Sequence, residues 1–89
     1  IAAIGVGSAM HSLIVMGADH RPLSRSMTWA DSRSVDQAEQ LKHSEIGARI
    51  YQNTGTPLHP MSPLTKLRWL QECQPALFGN GFKFISIKE

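Results

Sequence analysis

The chain has 89 residues and a mass of 9.8 kDa, with 42% hydrophobic and 18% charged residues, which leaves room for one small core and no second domain. Mean hydropathy is -0.18, and polar or charged residues interrupt every apolar stretch well short of the ~18 residues a membrane span needs, so no transmembrane helix is encoded. Nine Lys and Arg against seven Asp and Glu give a net charge of +2, and the scatter of the basic residues argues against a nucleic-acid partner despite a pI near 9.0.

Cys73 is the sole cysteine, so neither a disulfide framework nor a thiolate metal cluster is encoded, which fits a reducing cytosol, and it reads as a buried or inert thiol. The sequence opens on Ile1-Ala2-Ala3-Ile4, without an initiator Met or the basic flank of a signal peptide, and reads as an excised piece of a larger protein.

Residues 1–6 form an apolar, β-branched run stopped by Gly7 and Ser8, the pattern of a strand buried on both faces. Residues 12–16 predict a second strand, and Gly17-Ala18-Asp19-His20-Arg21-Pro22 supplies the turn of a β-hairpin. Residues 25–29 read as the return strand or as the next strand of the sheet, with Met27 and Trp29 on one side. Ser34 followed three residues later by Gln37 makes a capping-box signal, with Asp31 or Ser32 as alternative caps, for a helix whose face carries Val35, Ala38 and Leu41. A second helix is expected over 45–53, with Ser44 as N-cap and Gly55 as its stop.

The proline-rich segment 56–63 must be a shaped loop. Ser62-Pro63 then starts a helix whose stripe is Leu64, Leu67 and Leu70 or Gln71, running to Pro75. One further turn over 75–78 and a closing strand over 82–87 complete an α/β pattern.

Gly5-Val6-Gly7 lacks the third glycine of a dinucleotide fingerprint and the Gly-Lys-Ser/Thr of a Walker loop, and reads as a tight strand exit. His11, His20, His43 and His59 have no metal-ligand spacing, and Gly-x-Ser-x-Gly is absent. Two segments remain at positions where α/β sheets bind ligands: 8–12, after the first strand, and 29–33, at a strand-to-helix junction. There Trp29 offers a flat apolar wall for a sugar, and His11, Ser12 and Asp31 offer hydrogen-bonding groups; the plainer alternative is a core Trp beside a capping Asp.

Taken in order, the segments 3–12 (Ala-Ile-Gly-Val-Gly-Ser-Ala-Met-His-Ser), 28–34 (Thr-Trp-Ala-Asp-Ser-Arg-Ser), 55–63 (Gly-Thr-Pro-Leu-His-Pro-Met-Ser-Pro) and 83–89 resemble the N-terminal domain of the FGGY carbohydrate kinases, over nearly the whole chain. The likeness implies an α/β fold, part of an actin-like or ribonuclease-H-like ATPase domain, with residues 1–89 as the central part of the sugar-binding domain. It implies substrate-binding roles for Met10, His11, Trp29 and Asp31, and also for Arg33, His59 and Met61. Met10-His11 stands where glycerol-specific members carry Arg-Glu, and His59-Pro60-Met61-Ser62-Pro63 matches the gluconate-specific members; a sugar-acid carboxylate would suit Arg33 or a protonated His59, although Arg33 equally suits a salt bridge at the helix start.

The family implies a cytoplasmic enzyme that transfers the γ-phosphoryl group of ATP, with Mg²⁺, to a hydroxyl of gluconate, with xylulose or another polyol as the alternative substrate. Its phosphate loop, catalytic base and second domain have no counterpart in residues 1–89, so this piece alone is expected to be inactive and to hold no metal. The partners implied are the sugar substrate and the remainder of the kinase chain, with homo-oligomerisation left open. A small non-catalytic binding module is the reading from a different class.

Overall fold

The computed structural model describes residues 1–86. Leu13, Val15 and Met27 are withdrawn almost completely from water, and their spacing sets the first elements. Strand β1 spans Ile14–Met16, with Val15 buried between two partly exposed neighbours, as a period-2 pattern requires. The turn that follows is closed by a His20 N–H to Gly17 O bond of 3.0 Å and by Asp19 Oδ1 accepting from Arg21 N–H at 3.2 Å.

The expected hairpin is present, but its return arm is a pair of bridges, Met16 to Pro22 and Leu13 to Met27, rather than a strand. The ladder breaks between them because Ser24 Oγ, not a main-chain oxygen, takes the Val15 N–H at 3.0 Å. Met27 and Trp29 also part company. A turn closed by Asp31 N–H on Thr28 O leads the chain away, so Met27 is 3% exposed and Trp29 64%.

Helix α1 spans Val35–Lys42, α2 Glu45–Thr54, α3 Pro63–Cys73 and α4 Pro75–Asn80, and strand β2, Lys83–Ile85, pairs antiparallel with β1 through Val15 opposite Phe84. The α2 boundaries are those expected: Ser44 Oγ accepts from Gly47 N–H at 3.0 Å, and Gly55 ends the helix at φ 70°. The capping box expected at α1 does not form. Ser34 makes no cap bond and Gln37 donates instead to Glu72 on α3, because both side chains are buried against the α3 side of the molecule. Correspondingly Val35 is exposed, and the inner face of α1 consists of Ser34, Gln37 and Ala38.

Leu70 of α3 joins Leu13, Val15 and Met27 in the core, and Leu67, Trp69, Leu77, Phe78 and Phe84 pack around it. Residues 1–6 do not form the buried strand their composition suggests. Ile1, Ile4 and Val6 are open to solvent, and residues 1–10 carry no regular structure. Such a run becomes a strand only where a neighbouring strand offers its edge and other layers cover its faces, and the described residues supply neither. The Cα radius of gyration, 14.7 Å, accordingly exceeds the ~12 Å of a compact domain of this length. Of the closing strand expected over 82–87, residues 83–85 are observed and Ile87 lies outside the described residues.

Gly47 is the tightest point of the helical layer, since a Cβ there would collide with the Leu41 carbonyl oxygen and come within 2.8 Å of the Leu58 side chain. Gly47→Ala is expected to destabilise the chain by more than the ~1 kcal/mol of Gly55→Ala, whose only penalty is its left-handed backbone. Urea denaturation of the two variants side by side checks the order.

Candidate functional site

The loop 56–62 contains two prolines and enters a third at Pro63, so its main chain is short of N–H donors while its carbonyls still need partners. Side chains of α1 and α3 supply them. Thr65 Oγ1 lies 3.0 Å from His59 O and 2.9 Å from Ser62 O, Ser34 Oγ donates to Pro60 O at 3.0 Å, and Lys66 Nζ donates to Met61 O at 2.8 Å. Ser34, Thr65 and Lys66 are all fully buried. Lys66 Nζ also reaches His11 O at 2.7 Å, tying the segment after residue 10 to the proline loop.

On α3 the structure leaves Leu64, the first residue of the expected stripe, exposed and buries the polar pair Thr65 and Lys66. The available cue was the loop itself, whose unpaired carbonyls demand donors from the first turn of the helix that follows.

Around Lys66 the structure gathers the main chain of His11, the loop 59–61 and the Asp31-Arg33 pair. Asp31 Oδ1 accepts from Arg33 N–H at 3.0 Å and from its Nε at 2.9 Å, and Arg33 Nη2 lies 2.8 Å from Asp31 Oδ2. The same guanidinium lies 5.1 Å from the Trp69 ring centroid. The salt-bridge reading of Arg33 is therefore the arrangement found, with its two-pronged face taken up by Asp31.

His59 Nδ1 accepts from Met61 N–H at 3.1 Å, a bond that ties the ring to its own loop.

Burial pulls the Asp31 carboxyl upward, but the Arg33 hydrogen bonds and the charges of Arg33 and Lys66 outweigh it and hold the group below its ordinary 3.8. Burial pulls Lys66 below its ordinary 10.5, opposed by the attraction of Asp31 and aided by repulsion from Arg33.

Met10 and His11 line a cleft of about 330 Å³ with Ser12, Leu13, Pro63 and the 84–86 segment. Trp29 stands outside that lining and is exposed in this chain. A larger concavity of about 640 Å³ lies between Leu41, Ile46, Ile50, Leu64, Leu67 and Phe78. Its walls are mostly apolar, with Gln40, Ser44, Arg68 and Gln71 as the polar members of the lining. Among the described residues no three His, Cys, Asp or Glu side chains converge to hold a metal ion, and no helix is long and apolar enough to cross a membrane.

The FGGY family of carbohydrate kinases, N-terminal domain, matches residues 1–89. The chain belongs to that family. Gluconokinase from Bacillus licheniformis is 43% identical over 86 residues, 97% of this chain and 17% of that enzyme. The crystal structure of gluconate kinase from Lactobacillus acidophilus superposes with a TM-score of 0.90 at 43% identity, covering 100% of this chain and 18% of that one. The ligand-bound xylulose kinase from Lactobacillus acidophilus superposes with a TM-score of 0.86 at 41% identity, covering 91% and 16%. The fold is thus the α/β fold of the actin-like ATPase domains, and the chain spans about one sixth of the length of these relatives.

A carboxyl whose folded value is depressed contributes stability that is complete above its unfolded value and is lost as pH falls through the folded one. Arg33→Gln is expected to move the Asp31 titration upward and to shift that loss to higher pH. The ¹³Cγ chemical shift of Asp31 followed through acid titration checks it; an unmoved midpoint would show that the ion pair does not govern the carboxyl.

Proposed function

We propose that this chain is the central part of the sugar-binding domain of an ATP-dependent gluconate kinase. The observation that carries the reading is the Lys66 ammonium, which draws together the Met10-His11 segment and the His59-Pro60-Met61 loop, far apart in the sequence. Kinase membership and the two gluconate-kinase likenesses support the substrate class. In this reading Met10, His11, Trp29 and Asp31 face the sugar acid, with Arg33, His59 and Met61 behind or beside them. Trp29 supplies an apolar wall, and its exposure suits a face left open for a ligand.

The reaction joins a terminal hydroxyl oxygen of the sugar acid to the γ-phosphorus of ATP as the bond to ADP breaks, and the hydroxyl proton passes to a base. ATP supplies the phosphoryl group and Mg²⁺ would neutralise its charge. In this reading the chain's share is binding and orienting the sugar, and residues 1–89 alone are expected to release no ADP. The whole enzyme would act in the cytoplasm with the rest of the kinase chain as partner.

A xylulose kinase is the second reading, favoured by the nearly equal likeness to the xylulose enzyme. ADP release by the whole enzyme with gluconate, xylulose and glycerol in turn decides between them. Preference for gluconate is expected, preference for xylulose supports the second reading, and no sugar-dependent release refutes both.

In the same assay His11→Ala is expected to lower kcat/KM for the sugar by about ten- to a hundredfold, the effect of losing a hydrogen bond in a site partly closed to water. His20→Ala, in the hairpin turn, serves as control. Equal effects of the two would remove His11 from the sugar site. Trp29→Ala should raise KM for the sugar while leaving that for ATP nearly unchanged; equal rises would mark Trp29 as a packing residue.

A further inference from the structure

The side chain that joins the two loops of the candidate site is one that no substrate can touch. Lys66 is fully buried, and its two main-chain acceptors lie 5 positions before it, at Met61, and 55 positions before it, at His11. His11 holds φ at 60°, a left-handed conformation uncommon outside glycine, and a charge-assisted bond from Lys66 to its carbonyl helps to hold it there. It fixes the peptide plane from which the following chain enters β1, and with it the direction in which the imidazole leaves the main chain.

At the other acceptor, Met61 N–H is held by His59 Nδ1 while Met61 O is held by Lys66. One ammonium therefore determines how far apart the two loops stand, and the His59 ring is locked to the same frame. The arrangement depends on a compact cation with several donors on a flexible stem. A methionine of similar length has no donor, and a planar guanidinium presents its donors in a different geometry.

We propose that Lys66 is a positioning residue for the sugar, setting the separation of the Met10-His11 segment from the His59-Pro60-Met61 loop and so controlling sugar affinity without contacting the sugar. The inference rests on the kinase reading above. It distinguishes Lys66 from an ordinary core residue, because its removal should act on one substrate and not on the other.

The test uses the whole kinase, with wild type, Lys66→Met and Lys66→Arg assayed for ADP release while gluconate or xylulose, whichever wild type turns over, and ATP are varied separately. Absence of sugar-dependent turnover by wild type would refute the kinase reading itself, before any variant is considered. Given turnover, Lys66→Met is expected to raise KM for the sugar by about 10- to 100-fold, with KM for ATP within about twofold of wild type. Lys66→Arg, which keeps the charge but re-spaces the loops, should raise the sugar KM less and again leave ATP unaffected. Should Lys66→Met fail to accumulate as soluble enzyme, the arginine variant decides alone. Equal changes in both KM values, or a fall only in the active fraction with both KM values unchanged, would overturn the proposal. So would failure of both variants to fold.

Discussion

An ammonium group taken out of water must recover its lost hydration from fixed acceptors, and in a chain this small few acceptors are available in the interior. Lys66 finds them in the carbonyls of His11 and Met61. Neither carbonyl belongs to a helix or strand, so the requirement of one buried cation is converted into the shape of two loops. Asp31 adds long-range attraction without a direct ion pair, its carboxylate being already committed to Arg33. The result is a small polar layer, Ser34, Thr65 and Lys66, inserted between α1, the first turn of α3 and the loops.

That layer and the apolar core divide the labour of α3. Leu70 and its neighbours Leu67 and Trp69 anchor the helix on β1 and its hairpin, while Thr65 and Lys66, a turn earlier, hold the loops at the helix start. Gln37 of α1 donates to Glu72, which also pairs with Arg68 at 2.9 Å, so the same two helices are linked again at the far end of α3. Core packing thereby fixes the axis of α3, and the axis fixes where the ammonium can reach. The loops are thus connecting segments positioned by regular structure, the general arrangement in which binding groups are carried.

Much of the architecture was legible because it depends on local chemistry. Ser44 and Gly55 delimit α2, Ser62-Pro63 opens α3, and Pro75 separates α3 from α4, each through backbone preferences that need no tertiary partner. The features misread are those for which a distant partner wins. Ser34 and Gln37 have the spacing of a capping box, but a buried carbonyl of Pro60 and a carboxylate of Glu72 outcompete the helix terminus for them. Residues 1–6 have the composition of an interior strand but, among the described residues, no sheet edge to join.

The sequence by itself determined the limits of α2 to within a residue, the start of α3, the hairpin turn and, through motifs such as Trp29-Ala30-Asp31-Ser32-Arg33 and His59-Pro60-Met61-Ser62-Pro63, the family. These are properties of neighbouring residues, and neighbours are what a sequence displays. Only the tertiary structure decided that Lys66 lies inside, that Arg33 turns to Asp31, and that the His59 ring accepts from the Met61 amide. Each of those outcomes depends on which acceptors are brought within about 3 Å, and that depends on how α1 and α3 pack, a relation between residues up to 55 positions apart that no local pattern records.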